Sequence, residues 1–558
     1  MSKSRDLAKF TSDGEPLDDG VLEASDIDLG NVDNVSAADL RDRSTHTGTQ
    51  AATTVSYDNT ASGLVATDVK GAVDELQGAK VAQTDNTGSA EIPSGTQTQR
   101  DASPSAGYFR FNTDTSQFEG YDGTEWGKVG GGDAIDIDYD NSTSGLPANN
   151  VQDAIDQITN PEAFTASFTY DSSTTSPAGT GNVPQSVLDN LYANIKGCTL
   201  LDNGSVNYYL NASDWSLKEG GGSSDLTGTD GQVMVEIPAF YYKVERSGTQ
   251  TTWFISDTEF TGFSLHPAFI VDGVEVSHRY YSAYDACVYD DSASAYISGT
   301  NNTDNSGNVD TGADLLASVK GIYPMVGLTR NEFRLLAANR GSRWRQVDFP
   351  LWCAVGMLYV VEYQTFYNQD ELGDGNTNGS YVGSSSNQND SPHTIAGAGD
   401  SWGNGSTDGT QPSAGAKPGT AYMKYRGIEN QFGNCWNWAD AINVNVGGTG
   451  NVHIANDNAR ANYADDTTTD YTLATSPLTT GSDNIRRFLP VDPYFLAESV
   501  GGSSAQYITD RHYGSSSSNR VFRVGGSANL GGDAGVFTAT ADRDSGGRVR
   551  DLGGRLAY

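Results

Sequence analysis

Three arginines lie close together near the end of the chain, at Arg543, Arg548 and Arg550. A guanidinium group presents a planar fork of N–H donors, which binds carboxylate or phosphate groups bidentately. The sequence leaves two roles open for these side chains. They contact an acidic ligand, or they pair within the fold with the neighbouring carboxylates, which are Asp542, Asp544 and Asp551.

A second candidate is a half-formed calcium loop. The run Asp-Gly-Asn-Thr-Asn-Gly at 374–379 offers oxygen ligands at Asp374, Asn376 and Asn378, as the first half of a calcium-binding loop does. Such loops close with a bidentate glutamate, but the twelfth position here is Ser385. A flexible loop without metal is therefore the favoured interpretation, and a weak calcium site is the alternative.

No residue pattern indicates catalysis. The sequence has no GxSxG elbow, P-loop or dinucleotide-binding glycine pattern in a strand–turn–helix context. No two histidines have the i, i+4 spacing of a helical metal site. We expect no enzymatic activity and no cofactor. The cysteines are far apart in sequence, which predicts free, mostly buried thiols at Cys198, Cys287, Cys353 and Cys435.

Composition restricts the fold and the partners. A chain of 558 residues exceeds the size of one hydrophobic core, so several domains are expected. The 65 glycines and the charged fraction of only 19% favour short strands and turns. A net charge of −37 argues against nucleic-acid partners. Without a signal peptide or an apolar run of about 18 residues, we expect cytoplasmic synthesis and no membrane insertion.

A repeated unit occupies residues 57–76 and 139–158. Each copy predicts an extended segment, a turn and a short helix that begins near Thr67 or Asn149. Each helix carries one apolar stripe and is too short to be stable alone in water. We therefore expect a homotrimer in which both stripes are buried around the symmetry axis; packing on strands of the same chain is the alternative. The apolar stripe comprises Val69, Ala72, Val73 and Leu76, and then Val151, Ala154, Ile155 and Ile158.

The segment between the two copies alternates aromatic and polar residues across an Asn-Thr-Asp-Thr turn, as a half-buried hairpin does. It resembles a module of phage tail-fibre proteins, and the repeat and the first residues of the chain are similar to the stalks and N-termini of such fibres. The residues that match the module are Phe109, Phe111, Asn112, Phe118, Tyr121, Gly123 and Trp126.

From about residue 195 the sequence becomes rich in aromatic strands. A helix is predicted over 328–339, with Thr329 as its cap, and another over 350–363. The order of GFSLHPAF, then FRLLAANRGSRWRQVDFPLWCAVGMLYVVEY, YRGIENQFGNCWNWADAINV and the Gly-rich ending resembles phage C-type-lectin-like tail proteins. That family is related to the major tropism determinant and, more distantly, to formylglycine-generating enzymes.

The resemblance implies a multidomain, mainly β protein with short helices: a fibre stalk with small β modules and trimeric helices, and an α+β C-type-lectin-like head. The predicted segments are attachment (1–45), first stalk repeat (46–80), small β module (81–132), second stalk repeat (133–161), linker (162–194) and head (195–558), with an insertion loop at 368–418.

The same resemblance implies a function in the virion. The N-terminus would dock on tail or baseplate proteins, and the head would bind a host cell-surface receptor, either a glycan or a protein. A fibre adaptor without receptor contact and a glycan depolymerase are the alternatives. The implied receptor-facing positions are Ala528, Asn529, Leu530, Asp533, Thr538, Thr540, Asp542, Arg543, Arg548 and Arg550.

Overall fold

The structure is a computed structural model, and the chain in it is mainly β with short helices. It describes residues 51–61, 64–79, 92–130, 134, 137–139, 148, 150–159, 164–297, 303–378, 393–410, 421–475, 477–515 and 517–558. The chain divides into two compact units, Met1–Gly132 and Asp133–Tyr558. The predicted attachment segment 1–45 lies outside the described residues.

The first unit contains the first copy of the repeated unit and the small β module. Its helix α1 spans Val69–Ala79. Its sheet has the strand order β1-β2-β3-β4. The strands are β1 Ser94–Gly95, β2 Phe109–Asn112, β3 Gln117–Tyr121 and β4 Trp126–Lys128.

The two repeats adopt the same local structure, with α1 in the first unit and α2, Val151–Thr159, in the second. Bridges join Ser56 to Asp68 and Asp138 to Asn150, so the extended segment lies beside the start of each helix. The caps are Asp68, whose Oδ1 accepts from Gly71 N at 2.8 Å, and Asn150. The predicted starts are therefore one residue early, because the bridge holds the following residue in the capping position.

The apolar stripes are only partly covered by their own chain. Ala72 and Ala154 are buried, and Val69 and Val151 are half-buried. The larger side chains farther along remain exposed, namely Val73, Leu76 and Ile155. The side chain of Ile158 lies outside the described residues. Among the described residues, the same chain therefore covers the start of each stripe and leaves the side chains farther along it exposed.

The predicted hairpin is present, but its buried face is polar. Phe111 is paired with Phe118 across β2 and β3, while Phe109 and Phe118 are exposed and stack at 5.4 Å. The buried face carries Arg110, Asn112 and Glu119. Glu119 accepts from Arg100 Nε at 3.1 Å and Asn112 Nδ2 at 2.8 Å. The alternation therefore places a charged network, rather than the aromatic rings, on the buried face of the hairpin.

The second unit has four described helices after α2 and three larger sheets. The helices are α3 Gln185–Asn190, α4 Arg330–Asn339, α5 Phe349–Tyr363 and α6 Asn368–Leu372. The strands are β5 Ala166–Asp171, β6 Thr180–Asn182, β7 Lys196–Leu200, β8 Val206–Tyr209, β9 Gln232–Pro238, β10 Tyr241–Ser247, β11 Gln250–Ser256, β12 Ser264–Leu265, β13 Ile270–Val271, β14 Val274–Glu275, β15 His278–Ser282, β16 Cys287–Asp290, β17 Ala295–Ile297, β18 Leu315–Ala317, β19 Arg345–Gln346, β20 Thr407–Thr410, β21 Ala421–Tyr425, β22 Ile428–Glu429, β23 Trp436–Trp438, β24 Ile442–Val444, β25 Val452–Ala455, β26 Tyr471–Thr475, β27 Ser482–Phe488, β28 Ala497–Val500, β29 Arg511–Gly514, β30 Val521–Val524, β31 Ala539–Arg543, β32 Leu552–Gly553 and β33 Leu556–Ala557.

Within the described residues, the larger sheets have five, six and seven strands, with the orders β12-β10-β11-β5-β6, β19-β33-β15-β9-β7-β8 and β28-β27-β29-β31-β30-β23-β32. Helix α5 is buried along nearly its whole length and belongs to the main apolar core. Asp348 caps it by accepting from Leu351 N at 2.9 Å. Both helices predicted in this part of the chain are confirmed, including the Thr329 cap of α4.

The predicted linker 162–194 is wrong over most of its length. Strand β5 pairs with β11, and its Phe168 packs against Trp253 and Phe366. Leu191 and Tyr192 are also buried in the main core. The small and polar residues around these side chains obscured the strand, whose inward positions alternate as a half-buried strand requires.

The insertion loop 368–418 is described only at 368–378 and 393–410. These parts are not a separate flexible loop, because Asn368, Thr377, His393 and Asp400 are buried within the second unit. The four cysteines are free and buried, as predicted. Among the described residues, no helix has the length and apolarity needed to cross a membrane.

The core role of β5 can be tested with Phe168→Ala. Phe168 is 0% exposed, so removing its ring should lower the free energy of unfolding by about 3–5 kcal/mol. Val274→Ala is the control, because Val274 is 63% exposed and should change stability by no more than about 0.5 kcal/mol. Urea unfolding measures both. A loss below about 1 kcal/mol for Phe168→Ala would contradict the core role of β5.

Candidate functional site

The C-terminal segment 521–558 combines a buried framework with surface loops. Strand β30 pairs antiparallel with β31, and β32 pairs parallel with β23. Strand β33 joins the six-stranded sheet beside β15. The connections 525–538 and 544–551 lie between these fixed strands, so the framework positions both loops.

The closing Gly-Gly-Arg-Leu sequence is the main anchor of this framework. Arg555 is fully buried, forms an ion pair with Asp285 Oδ1 at 2.9 Å and donates to Asn430 O at 2.7 Å. Burial raises the pKa of Asp285, and Arg555 opposes that rise. A Cβ on Gly554 would lie 2.9 Å from the Phe333 ring, so only glycine allows this close approach.

The loop 525–538 is held by the buried carboxylate of Asp510. Its Oδ2 accepts from Phe537 N at 2.6 Å, and its two oxygens accept from Asn368 Nδ2 at 2.7 and 2.9 Å. A Cβ on Gly535 would lie 2.1 Å from Asp510 Oδ1. The carboxylate therefore ties the loop to the start of α6.

The ten predicted receptor-facing residues separate into buried and accessible groups. Ala528, Thr538 and Thr540 are buried, so they are not part of the candidate surface. Asn529 and Arg543 are exposed. The remaining residues are half-buried, and these are Leu530, Asp533, Asp542, Arg548 and Arg550.

The three arginines do not form one cluster of open charges. Arg548 makes a bidentate contact with Glu332, at 2.6 and 3.2 Å, and lies 3.5 Å from Asp304. Internal pairing thus holds for Arg548, although its partners are not the neighbouring aspartates that the sequence suggested. Arg543 is 44% exposed and lies 3.7 Å from Asp542 Oδ2, which leaves it the more accessible of these two guanidinium groups.

Asp542 has a stronger partner that the sequence analysis missed. Arg523 donates to both of its carboxylate oxygens, at 2.8 and 3.0 Å, and stacks over the Trp436 ring at 4.1 Å. Asp533 similarly pairs with Arg511 at 3.2 Å. No local signal identifies the Trp436 contact, since the residues that meet there are far apart in sequence.

The calcium candidates differ in their exposure. Asp374 and Asn378 are exposed, whereas Asn376 is buried and its Nδ2 donates to Asn434 Oδ1 at 2.9 Å. Across the described residues, no group of three or more His, Cys, Asp or Glu side chains is arranged to hold a metal ion. Calcium binding at this loop stays a prediction.

Comparisons with known proteins give little beyond this geometry. No family model and no curated protein matches the sequence. Among solved structures, the chain is similar to the Major Tropism Determinant U1 Variant, with a TM-score of 0.22, 10% sequence identity and coverage of 84% of this chain and 98% of that one. Similarity at this level does not establish a shared fold, so the family suggested by the sequence motifs remains a prediction.

The Asp510 contact predicts a pH dependence of stability. Burial raises the pKa of Asp510 to about 7, whereas an unfolded aspartate has a pKa of about 3.9. The folded state therefore binds the proton more tightly. Its contribution to stability is full below about pH 4 and is lost as the pH rises through about 7. Asp510→Asn removes this titration.

The Tm of Asp510→Asn should therefore rise relative to that of the parent protein as the pH increases from about 4 to about 7. Asp483→Asn is the matched control, because Asp483 is exposed on the nearby strand β27; its Tm difference should stay constant. Scanning calorimetry at several pH values measures both differences. Parallel Tm curves for Asp510→Asn and the parent would contradict the assignment.

Proposed function

We propose that this chain is a phage tail-fibre-type attachment protein whose second unit is a lectin-like head that binds a host surface receptor. The observation that supports this proposal is the arrangement of residues 521–558, where buried strands and the Arg555 anchor hold two surface loops. Rigid scaffolds that position surface loops are common in binding proteins. The tail-fibre motifs of the sequence supply the biological context.

The receptor surface proposed here is formed by the accessible parts of the loops. Asn529 and Arg543 are its most exposed members among the predicted positions. An amide and a guanidinium group offer donors to carboxylate, carbonyl or hydroxyl groups of a glycan or a surface protein. Arg548 supports the loop through Glu332, which also caps α4.

Binding rather than catalysis is proposed for the head. The buried carboxylates near the loops already have structural partners: Asp510 accepts from Phe537 N and Asn368, and Asp285 pairs with Arg555. The protein is proposed to act in the virion, with its N-terminus docked on tail or baseplate proteins.

A homotrimer is proposed for the stalk. Val73 on α1 and Ile155 on α2 occupy equivalent positions of the repeated unit and are both exposed, and Leu76 is exposed farther along α1. Copies of the chain arranged around an axis would bury both stripes at once, and closed rotational symmetry is the usual form of homo-oligomers.

The trimer can be tested by light scattering. The parent protein should have three times the mass of one chain, and Val73→Asp with Leu76→Asp should lower that mass, because buried unpaired charges are unfavourable at an apolar interface. Val274→Asp is the control, since Val274 is exposed outside the stripes. A monomeric parent, or a double variant that stays fully trimeric, would refute the proposal.

Receptor contact through the loops predicts that Asn529→Ala with Arg543→Ala weakens binding to host cells by at least about tenfold, as hot-spot losses do. Binding by the parent should also weaken as salt rises, because exposed charge pairs are screened. Arg487→Ala is the control, since Arg487 is an exposed arginine on β27. Undiminished binding by a folded double variant would move the receptor site away from these loops.

A further inference from the structure

A cleft with a volume of about 430 Å³ lies in the second unit, away from the C-terminal segment in sequence. It is bounded by the start of β9, the β16–β17 hairpin and the end of α4. The side chains that matter for its chemistry are Asp202, Gln232, Tyr289, Tyr296 and Arg340. Its lining includes none of the residues predicted from the sequence to face a receptor. We call it the tyrosine cleft.

Two aromatic rings form one wall of the tyrosine cleft. Tyr289 and Tyr296 are direct partners across β16 and β17, and their ring centroids are 5.1 Å apart in an edge-to-face arrangement. Both side chains are half-buried. Burial raises the pKa of Tyr296 to about 12, so at neutral pH its hydroxyl is protonated and can both donate and accept.

The opposite side of the cleft is polar and held in place. Arg340 donates from Nε to Leu316 O at 2.9 Å and from Nη1 to Asp202 Oδ1 at 2.5 Å. These contacts hold the guanidinium group of Arg340, whose side chain is only 4% exposed. Asp202 is 59% exposed, so its second carboxylate oxygen can accept from a ligand. Gln232 forms a rigid floor, because its Oε1 accepts from Ser318 N at 2.8 Å.

We infer that the tyrosine cleft binds a neutral saccharide. A sugar ring has apolar C–H faces edged by hydroxyls, and tyrosine presents a rigid apolar face with a polar tip. The carboxylate of Asp202 accepts from sugar hydroxyls, and Arg340 holds that carboxylate in place. The volume lies within the range of small-molecule sites, about 300–1,000 Å³.

The charges in the cleft select against anionic sugars. Arg340 is already paired with Asp202, so no unbalanced positive charge faces the ligand. The whole chain carries a net charge of −37, and its field repels anions. A hexose or N-acetylhexosamine without a carboxylate therefore fits better than a sialic acid.

This inference depends on the proposed attachment function only for its biological use, because a free sugar can be tested without cells. Saturation-transfer difference NMR on the full chain would use glucose, galactose, mannose, N-acetylglucosamine and sialic acid in turn. At least one neutral sugar should give a saturable signal, and sialic acid should give none. Absence of signal from every neutral sugar would overturn the inference, as would binding of sialic acid alone.

Two variants locate the bound sugar. Tyr289→Ala removes one ring of the wall and should weaken binding at least about tenfold. Asp202→Asn keeps the shape of an exposed side chain and should weaken binding as well. Tyr513→Ala is the matched control, since Tyr513 is a partly exposed tyrosine outside the cleft, and its affinity should equal that of the parent. Thermal unfolding of each variant verifies folding.

If Tyr289→Ala fails to fold, Asp202→Asn alone decides the outcome. Parent-like affinity in folded Asp202→Asn and Tyr289→Ala would place the sugar elsewhere and overturn the inference. The outcome is separable from that of the attachment proposal. Cell binding without any sugar signal refutes only the tyrosine cleft, whereas sugar binding at the cleft without cell binding refutes only the attachment proposal.

Discussion

The architecture of the second unit depends on buried arginine–aspartate pairs. Arg555 and Asp285 join the last strands to the end of β15, and Arg279 Nη2 meets Asp348 Oδ2 at 2.8 Å with both side chains buried. Asp348 also caps α5. Removing one member of such a pair leaves an uncompensated charge at a cost of about 3–5 kcal/mol. The strands and helices that carry these residues must therefore meet in one geometry.

This constraint explains how an acidic chain holds a large unit together. Many arginines form ion pairs inside the fold. Arg330 and Arg334 both contact Asp465, and Arg334 also binds Asp440 at 2.7 Å. Pairing to specific carboxylates gives each contact a direction, which apolar packing does not supply. Among the described residues, Arg543 is one of the arginines that remain exposed.

Buried framework residues and exposed surface residues are also distinct in the C-terminal segment. The glycine-flanked anchors of the last segment are surrounded by buried atoms, whereas Asn529 and Arg543 between them face outward. Substitutions at the exposed positions leave the paired charges intact. The tyrosine cleft obeys the same rule, since Arg340 is oriented by Leu316 and Asp202 before any ligand arrives. Preorganisation of this kind lowers the entropic cost of binding.

Features that arise within a few residues could be predicted from the sequence alone. The Thr329–Glu332 capping box, the helices α4 and α5 and the hairpin at Asn112 follow from local hydrogen bonds and apolar spacing. The other features depend on contacts between residues that are far apart in the chain. Strand β5 became core because β11 lies beside it, and the polar face of the hairpin is inside because Arg100 reaches Glu119. Arg548 pairs with Glu332, which lies 216 residues away in the sequence. A charged side chain pairs with a partner that the fold brings near and removes from water. The local sequence does not reveal which residue that partner is.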